Sequence, residues 1–525
     1  MDWTAGYVAD IGYSSQYYSE LNPIRLSLAL INAGYAPPKI RNACELGFGQ
    51  GVSINIHAAA EGEVKWYGND FLPSHAGFAQ GLAAEAGSGA ELTDESFAEF
   101  FARTDLPDFD FVCLHGIWSW VSDENRALIV DFLRRKLRVG GIVYISYNTL
   151  PGWAAAMPMR ELFVQHARYM SPRAADSGAK VEAALNHVEK LFAAEPGYTV
   201  MNPSIPERFE KLKGMDPRYL AHEYFNQTWR PMYFTEIAEA LSEAKLSFAC
   251  SATYADLLDD IWMSPEQQAL LEAAPNDALT QLTRDFMVNQ QFRRDIWIKG
   301  GEQIPAARGM EILGRHRVVL TCDAGAVDLK AKIAGRDVTL QEAAYKPLLA
   351  ILGDNLPHRI ADLIAAVALQ GVQPMQVIQA VFVLISLNHL APVQDEMGIK
   401  AAAASARRLN AAVIERARYS DAVTCLASPV TGGGMTADHM ALRLLGALQA
   451  GAATAASAAQ QVWDGLRAEG RVMTRDGQAF STAEENLAEL TRIAEDFMAG
   501  QWPLLEKLGV SINEIRTNSR HGRKS

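Results

Sequence analysis

In Ala43-Cys44-Glu45-Leu46-Gly47-Phe48-Gly49-Gln50-Gly51, an acidic residue ends a short apolar run and three glycines follow at every second position. Glycine lets the backbone turn sharply and approach a ligand closely, because no Cβ stands in the way. A P-loop would continue with lysine, but Val52 follows Gly51. The NAD fingerprint would place its third glycine at that same position, Val52. Both of these nucleotide sites are therefore disfavoured.

The sequence after this loop predicts further strands that end in polar residues. One helix over 52–60 leads to a strand over 63–70, which ends in Asp70. A carboxylate at that position can accept hydrogen bonds from both hydroxyls of a ribose. A third strand is expected at 90–93, with Ser96 and Phe97 just past its end.

Later segments complete the predicted sheet. Further strands are expected at 109–114, 142–146, 246–250 and 292–298, and a helix is expected at 124–137. Strands that alternate with helices predict a parallel α/β sheet of the Rossmann-like kind, here with seven strands. Because ligands of such sheets bind at the carboxyl ends of the strands, the polar residues at those ends are expected to form one site.

Composition narrows the function further. The chain has 48 basic and 61 acidic residues, and its net charge of −13 disfavours nucleic acid as a partner. Its five cysteines are scattered without a C-x-x-C pair, which indicates buried thiols and predicts neither disulfides nor a metal site. No apolar stretch is long enough to span a membrane, and the residues after Met1 do not form a signal peptide. We expect a soluble cytoplasmic protein without membrane insertion.

The segment after residue 301 has a different character. Short strand candidates at 318–320 and 338–340 precede helices at 340–352, 360–369 and 374–387, an order that resembles a winged helix. The third of these helices carries no arginine or lysine with which to read DNA, so substrate docking or dimerisation is favoured. The predicted division of the chain is an N-terminal arm over the active site (1–42), a cofactor-binding core (43–152), a helical insertion (153–235), the end of the sheet (236–300) and a mostly helical C-terminal domain (301–525).

Several motifs together resemble one known family. They are Tyr13-Ser14-Ser15-Gln16-Tyr17-Tyr18, Ser146-Tyr147-Asn148-Thr149-Leu150-Pro151-Gly152-Trp153, His222-Glu223-Tyr224-Phe225-Asn226 and Phe292-Arg293-Arg294-Asp295. With the Glu-x-Gly-x-Gly-x-Gly loop, they are similar to the bacterial class I methyltransferases that use S-adenosylmethionine (SAM) and carry a methyltransferase regulatory domain. That group includes the rickettsial protein-lysine methyltransferases. The resemblance extends over most of residues 10–300 and, more loosely, into the C-terminal half.

The resemblance implies SAM as cofactor and predicts its binding residues. Glu45 would orient the cofactor's ammonium group, Gly47, Gly49 and Gly51 would let its amino-acid end approach the backbone, and Asp70 would hold the ribose. The remaining candidates lie beside the adenine or near the methyl group: Ser96, Phe97 and His115. We predict no metal, because methyl transfer is an in-line displacement that depends on alignment of the acceptor with the methyl carbon.

An amine, such as a lysine side chain, is the expected acceptor. Its pKa near 10.4 means that losing a proton at pH 7 costs about 4–5 kcal/mol, and a poorly hydrated aromatic pocket lowers that cost. Aromatic faces also attract the cation. The catalytic candidates are Tyr147, Asn148, His115 and Trp118, and the candidates for the substrate pocket are Tyr13, Tyr17, Trp120 and Trp153.

Other interpretations stay open from the sequence. His115 could be a hydrogen-bonded structural residue, and Trp118 and Trp120 could cover the edge of the sheet. The tetrad of nucleic-acid amino-methyltransferases is absent, since Leu114-His115-Gly116-Ile117 stands in its place. A small-metabolite methyltransferase and a SAM-binding regulator remain alternatives to a protein-lysine methyltransferase. The resemblance also suggests a homodimer.

Overall fold

The computed structural model describes residues 15–172, 176–226, 228–333, 335–475 and 478–510. Its central feature is a seven-stranded sheet in the order β3-β2-β1-β4-β5-β7-β6, in which β7 runs antiparallel to both of its neighbours. The strands are β1 Asn42–Leu46, β2 Lys65–Asn69, β3 Glu91–Thr93, β4 Phe109–Leu114, β5 Leu137–Asn148, β6 Ser247–Ser251 and β7 Phe292–Ile298. The predicted seven-stranded Rossmann-like sheet is confirmed, but the prediction that it is parallel throughout is wrong for β7, and the sheet is mixed.

The strand order creates a crevice at the centre of this sheet. From β1 the chain adds β2 and β3 on one side, and it then returns to place β4 on the other side. This is a topological switch point, and the crevice lies outside the carboxyl ends of β1 and β4. The helices of this part are α1 Pro23–Asn32, α2 Val52–Ala60, α3 Pro73–Ala86, α4 Phe97–Ala102 and α5 Asp123–Lys136.

Strand β5 begins earlier than its sequence suggests. The sequence predicts a helix over 124–137 and a strand over 142–146, but α5 ends at Lys136 and β5 begins at Leu137, so Gly140 and Gly141 lie inside the strand. The positive φ of Gly140 and an irregularity in the pairing of β5 with β4 accommodate them. The N–H of Gly140 donates to the carbonyl of Lys299, which ties the start of β5 to the end of β7.

The helical insertion has its own apolar core. Its helices are α6 Met157–Met170, α7 Ser177–Ala193, α8 Gly197–Met201, α9 Ser204–Lys213 and α10 Pro217–Phe225. Buried residues such as Trp153, Phe163 and Phe209 pack among them. The chain then returns to the sheet through α11 Phe234–Ser242, β6, α12 Asp259–Trp262, α13 Pro265–Glu272, α14 Asp277–Val288 and β7.

The C-terminal part combines helices with small antiparallel sheets. Its helices are α15 Ala306–Arg315, α16 Glu342–Leu352, α17 Ile360–Val367, α18 Pro374–Ser386, α19 Glu396–Arg416, α20 His439–Gln449, α21 Ala455–Ala468, α22 Ala483–Asp496 and α23 Trp502–Lys507. Its strands are β8 Arg317–Leu320, β9 Lys330–Ile333, β10 Arg336–Thr339, β11 His358–Arg359, β12 Leu390–Val393, β13 Cys425–Ser428, β14 Gly433–Thr436, β15 Thr474–Arg475 and β16 Gln478–Ala479. The winged-helix comparison and the domain division stay predictions.

Helix α2 connects the sheet to this C-terminal part. All nine of its residues are buried, because the sheet covers one side and α19 covers another. Val52 and Ile56 share an apolar cluster with Leu409 and Val413 of α19. A helix covered all round needs no polar face, and the three polar residues of α2, Ser53, Asn55 and His57, are buried with its apolar ones. Within the described residues, no helix is both long and apolar enough to cross a membrane.

Candidate functional site

A cavity of about 290 Å³ lies at the switch point of the sheet. Its wall includes most of the residues predicted to bind the cofactor, together with parts of the N-terminal arm and the helical insertion. The predicted residues that line it are Glu45, Gly47, Gly49, Gly51, Asp70, Ser96, Phe97, His115 and Trp120. Three carboxylates reach this wall, from Glu45, Asp70 and Glu223, and none of the described lining residues is a lysine or an arginine.

The glycine loop leaves room for a ligand at one position. Gly47, Gly49 and Gly51 all have positive φ values, between 59° and 68°, in the left-handed region that favours glycine. A Cβ on Gly47 would collide with Ile117, and one on Gly51 would collide with Ala79. A Cβ on Gly49 would meet no atom within 4 Å. The middle glycine therefore opens towards the cavity, and the outer two are required for packing.

Glu45 is a buried carboxyl group without a hydrogen-bond partner for one of its oxygens. Its side chain sits at the end of β1 with 4% relative exposure, and Oε2 has no partner among the described residues. Burial, and then the charge of Asp70, raise the pKa of Glu45 to about 8. An unpaired buried carboxyl is costly, and a cationic ligand in the cavity would remove that cost.

Asp70 organises the glycine loop from the end of β2. Its Oδ2 accepts the N–H of Gly49 at 2.9 Å, and its Oδ1 accepts the N–H of Leu72 at 3.0 Å. Nδ1 of His75 lies 3.3 Å from Oδ1. Each carboxylate oxygen has a second lone pair, so these bonds leave capacity for further donors from a ligand.

Ser96 and Phe97 line the cavity where α4 begins. The hydroxyl of Ser96 donates to Oε2 of Glu99 at 2.7 Å and accepts the N–H of Glu99, so it forms a capping box. The ring of Phe97 stacks on Phe101 with centroids 5.6 Å apart. Ser96 thus has a structural role in addition to its place in the wall, whereas Phe97 offers an apolar surface.

His115 connects the cavity to the N-terminal arm. Its Nδ1 lies 2.9 Å from the hydroxyl of Tyr144, and its ring stacks on Tyr18 at 3.9 Å. Burial lowers the pKa of His115 to about 4, against the opposing effect of Glu20. The imidazole is therefore neutral at pH 7 and adds no positive charge to the cavity.

Three of the four catalytic candidates lie outside the lining. Tyr147 is fully buried and donates its hydroxyl to Oδ2 of Asp295 at 2.7 Å, which corrects the expectation that it faces the acceptor. Trp118 packs in the core behind the cavity wall, with 1% relative exposure. Asn148 is buried as well, and its Oδ1 accepts the Nε1–H of Trp229 at 3.1 Å.

Of the residues predicted for the substrate pocket, one lines the cavity and two that the structure describes do not. Trp120 lines the cavity, and its ring is tilted against Trp229 at 6.1 Å. Trp153 instead belongs to the apolar core of the insertion. Tyr17 packs against His57 and the backbone of residues 433–434. Neither ring lines the cavity. Tyr13 lies outside the described residues.

The cavity contains residues that the sequence reasoning missed. Gln16 and Tyr18 come from the arm, and His222, Glu223 and Asn226 come from the end of α10. The last three belong to the motif His222-Glu223-Tyr224-Phe225-Asn226, whose one-turn spacing places positions 222 and 226 on the same helix face. That spacing is the signal that the sequence offers for these positions.

Comparison with known proteins places the chain in a family. Residues 216–299 match the family described as a predicted methyltransferase regulatory domain. The chain is 37% identical over 515 residues to the uncharacterized protein sll1526 of Synechocystis, which covers 97% of this chain and 100% of that protein. It is 25% identical over 292 residues to the uncharacterized protein RP789 of Rickettsia prowazekii, covering 54% of this chain and 51% of that one.

A solved structure has the same fold over nearly the whole length. PKMT2 from Rickettsia typhi, in complex with AdoHcy, matches with a TM-score of 0.68 at 16% identity, covering 95% of this chain and 100% of that chain. The match includes the C-terminal part, so the architecture is shared beyond the sheet. The chain thus belongs to the same family as sll1526, contains a methyltransferase regulatory domain and has the fold of the class I methyltransferases.

Proposed function

We propose that this protein transfers a methyl group from SAM to an amine, and that the amine is a lysine side chain of a protein. One observation carries the proposal: the cavity wall holds three carboxylates and, among its described residues, no lysine or arginine. An acidic wall attracts cations and repels carboxylates and phosphates, and Glu45, which holds a proton at neutral pH, ionises when a cation binds beside it. Both the cofactor, which has a sulfonium and an ammonium group, and a lysine acceptor suit this wall.

The residues present fit the cofactor. The oxygen of Glu45 that lacks a partner is suited to the ammonium group of the cofactor, and Asp70 is suited to its ribose hydroxyls. The open position at Gly49 allows the amino-acid end of the cofactor to approach the backbone closely. Phe97 offers an apolar face to the adenine. When bound here, SAM supplies an activated methyl group. PKMT2 from Rickettsia typhi was solved with the demethylated product, AdoHcy, which supports the same choice.

The acceptor end of the cavity suits an amine. A lysine nitrogen must lose its proton before it can attack, and a poorly hydrated site disfavours the charged form. His115 is neutral because of burial, so it adds no repulsion against the incoming cation. The ring of Trp120 can attract the cation by about 0.5–2 kcal/mol. With the acceptor aligned by these walls, the amine would lose its proton to water, and its lone pair would then form the N–C bond as the S–C bond of the sulfonium breaks to leave a neutral thioether.

The protein acceptor is tested with tritiated SAM and a lysate of the native host, separated into macromolecules and a small-molecule filtrate. Label is expected in the macromolecular fraction, and acid hydrolysis should release it as N-methylated lysine. The Gly49→Arg variant, whose loop would be blocked, serves as the control. Label found only in the filtrate would show that the acceptor is a small metabolite and not a protein. The absence of label from both fractions would contradict methyl transfer to an amine.

Cofactor binding should release a proton from Glu45. Its pKa near 8 in the folded protein exceeds the value of about 4.3 for an exposed glutamate, so between these limits the folded state holds a proton that the unfolded state has lost. Stability from this group is therefore present below about pH 4 and is lost as pH rises through 8. An ammonium group beside the carboxyl lowers its pKa and expels the proton.

Calorimetry can count that proton. At about pH 6.5, titration of S-adenosylhomocysteine into the wild type should release close to one proton per site, seen as a binding enthalpy that changes with the ionisation enthalpy of the buffer. Glu45→Gln should bind more weakly and show the same enthalpy in every buffer. If the wild type also gave one buffer-independent enthalpy, Glu45 would not be the partner of the ammonium group.

A further inference from the structure

The third carboxylate of the cavity comes from a different part of the chain than the first two. Glu45 and Asp70 end neighbouring strands and face the cofactor's ammonium and ribose in the proposed function. Glu223 lies on α10, inside the segment 216–299 that matches the regulatory domain. It is half-buried, and it reaches the wall together with His222 and Asn226. Because Glu45 and Asp70 are already assigned to the ammonium and ribose of the cofactor, the cofactor has no further group that needs a carboxylate partner.

The end of α10 is held in place by a set of buried contacts. The side-chain amide of Asn226 donates to the carbonyl of His222 at 2.8 Å, and Arg160 donates from Nη2 to the carbonyl of Asn226 at 2.7 Å. The guanidinium of Arg160 also lies 4.3 Å from the ring of Trp229. These contacts hold the carboxyl-terminal end of α10, the helix that carries Glu223.

The same contacts relate Glu223 to Trp120. The guanidinium of Arg160 lies 4.3 Å from the ring of Trp229 and 5.9 Å from the ring of Trp120, and the ring centroids of the two tryptophans are 6.1 Å apart. Arg160 itself does not line the cavity, although its charge and that of Glu223 interact. The insertion therefore contributes a carboxylate to the wall, while its arginine packs against the rings of Trp229 and Trp120 and does not itself line the cavity.

We infer that Glu223 is a specificity-determining residue that recognises the ammonium head of the acceptor, while the ring of Trp120 contacts its hydrocarbon stem. This inference rests on the proposed function and adds the residue that selects the acceptor. A carboxylate forms short, charge-assisted hydrogen bonds with an ammonium group, whereas an acidic acceptor would be repelled. Because the carboxylate stabilises the protonated amine, its part is recognition before the amine loses its proton. Its loss should therefore raise KM more than it lowers kcat.

Ligand-observed NMR on the complex with S-adenosylhomocysteine tests this without knowledge of the natural acceptor. The probes are n-butylammonium, which reproduces the end of a lysine side chain, and butyrate, which has the opposite charge. The wild type should bind n-butylammonium and not butyrate, and Glu223→Gln should weaken n-butylammonium by about ten-fold or more. Glu223→Asp should keep part of the affinity. Glu182→Gln removes the same charge from an exposed position of α7 and should change nothing.

Three results would overturn the inference. They are a wild type that binds no n-butylammonium, a wild type that binds butyrate equally well, and a Glu223→Gln variant within about two-fold of the wild type. Affinity for S-adenosylhomocysteine is measured on every variant and should stay unchanged. If that affinity and the labelling of protein lysine persist while Glu223→Gln has no effect, only this inference fails. Loss of protein labelling in the wild type would instead reject the proposed function.

Discussion

Replacing Gly49 by arginine is expected to weaken the binding of S-adenosylhomocysteine by about 100-fold or more, which corresponds to about 2.7 kcal/mol. An added Cβ at this position meets no atom within 4 Å, and Gly49 lines the cavity, so a long side chain there would use the space proposed for the cofactor. The arginine would also bring a positive charge next to Glu45, where it would compete for the carboxylate and repel the cofactor's ammonium.

Gly89→Arg is the matched control for the backbone. Gly89 also has a positive φ, 71° against 59° for Gly49, and it too has no atom within 4 Å of an added Cβ. It is exposed and lies between α3 and β3, away from the cavity lining. Both substitutions force a non-glycine residue into the left-handed region, at a cost of about 1–2 kcal/mol.

Calorimetric titration together with thermal unfolding separates the two effects. Both variants should lose similar stability, and only Gly49→Arg should lose affinity. Binding by Gly49→Arg within about three-fold of the wild type would mean that the cofactor does not approach this loop. Equal loss of affinity in both variants would attribute the effect to the backbone and not to the blocked cavity.

The cofactor side of the cavity was predictable because its signals are local. The glycines at 47, 49 and 51 and the strand ends at Glu45 and Asp70 lie within a short stretch of sequence, and each strand boundary is marked by a change in polarity. The parallel topology then brings the carboxyl ends together without any information about distant contacts. The predicted strands over 109–114 and 292–298 agree with β4 and β7 to the residue.

The acceptor side was predicted less well, for two physical reasons. Side chains alternate along a strand, and Tyr144 and Ser146 of β5 face His115 and Gly116, so Tyr147 must point to the other face. That alternation could have excluded Tyr147 from the cavity. The position of Glu223, in contrast, depends on how the insertion packs over the sheet. The pattern of polar and apolar residues within the segment cannot predict that Glu223 reaches the cavity.

Tyr147 donates to Asp295, and the same carboxylate is paired with Arg293 in a buried cluster. We expect Arg293→Met to lower the free energy of unfolding by about 3–5 kcal/mol. Arg293 is buried and donates from Nε to Asp295 at 2.9 Å and from Nη1 to Asp285 at 2.6 Å. Both carboxylates are almost completely buried, so removing the guanidinium leaves two acidic groups without their cation. Methionine fills similar space, which limits the contribution of a cavity.

Arg294→Met is the matched control on the same strand. Arg294 points to the opposite face of β7, is about one-third exposed, and pairs with Glu20 at 2.8 Å. Its loss should cost clearly less than that of Arg293, about 1–2 kcal/mol, because Arg294 is partly solvated and has one carboxylate partner where Arg293 has two buried ones. Tyr147→Phe removes one donor from Asp295 and should cost an intermediate amount, about 1.5–3 kcal/mol. Urea unfolding followed by tryptophan fluorescence measures all three variants.

The effect of Arg293→Met should depend on pH in a defined direction. Burial raises the pKa of Asp285 to about 7 in the wild type, against the opposing charge of Arg293, so loss of Arg293 should raise it further. A raised carboxyl pKa means that stability is lost as pH rises through it, so the deficit of the variant should be larger at about pH 7.5 than at about pH 5.5. A deficit below about 1 kcal/mol, or one that is the same at both pH values, would contradict the role of Arg293 as the cation that neutralises this buried cluster.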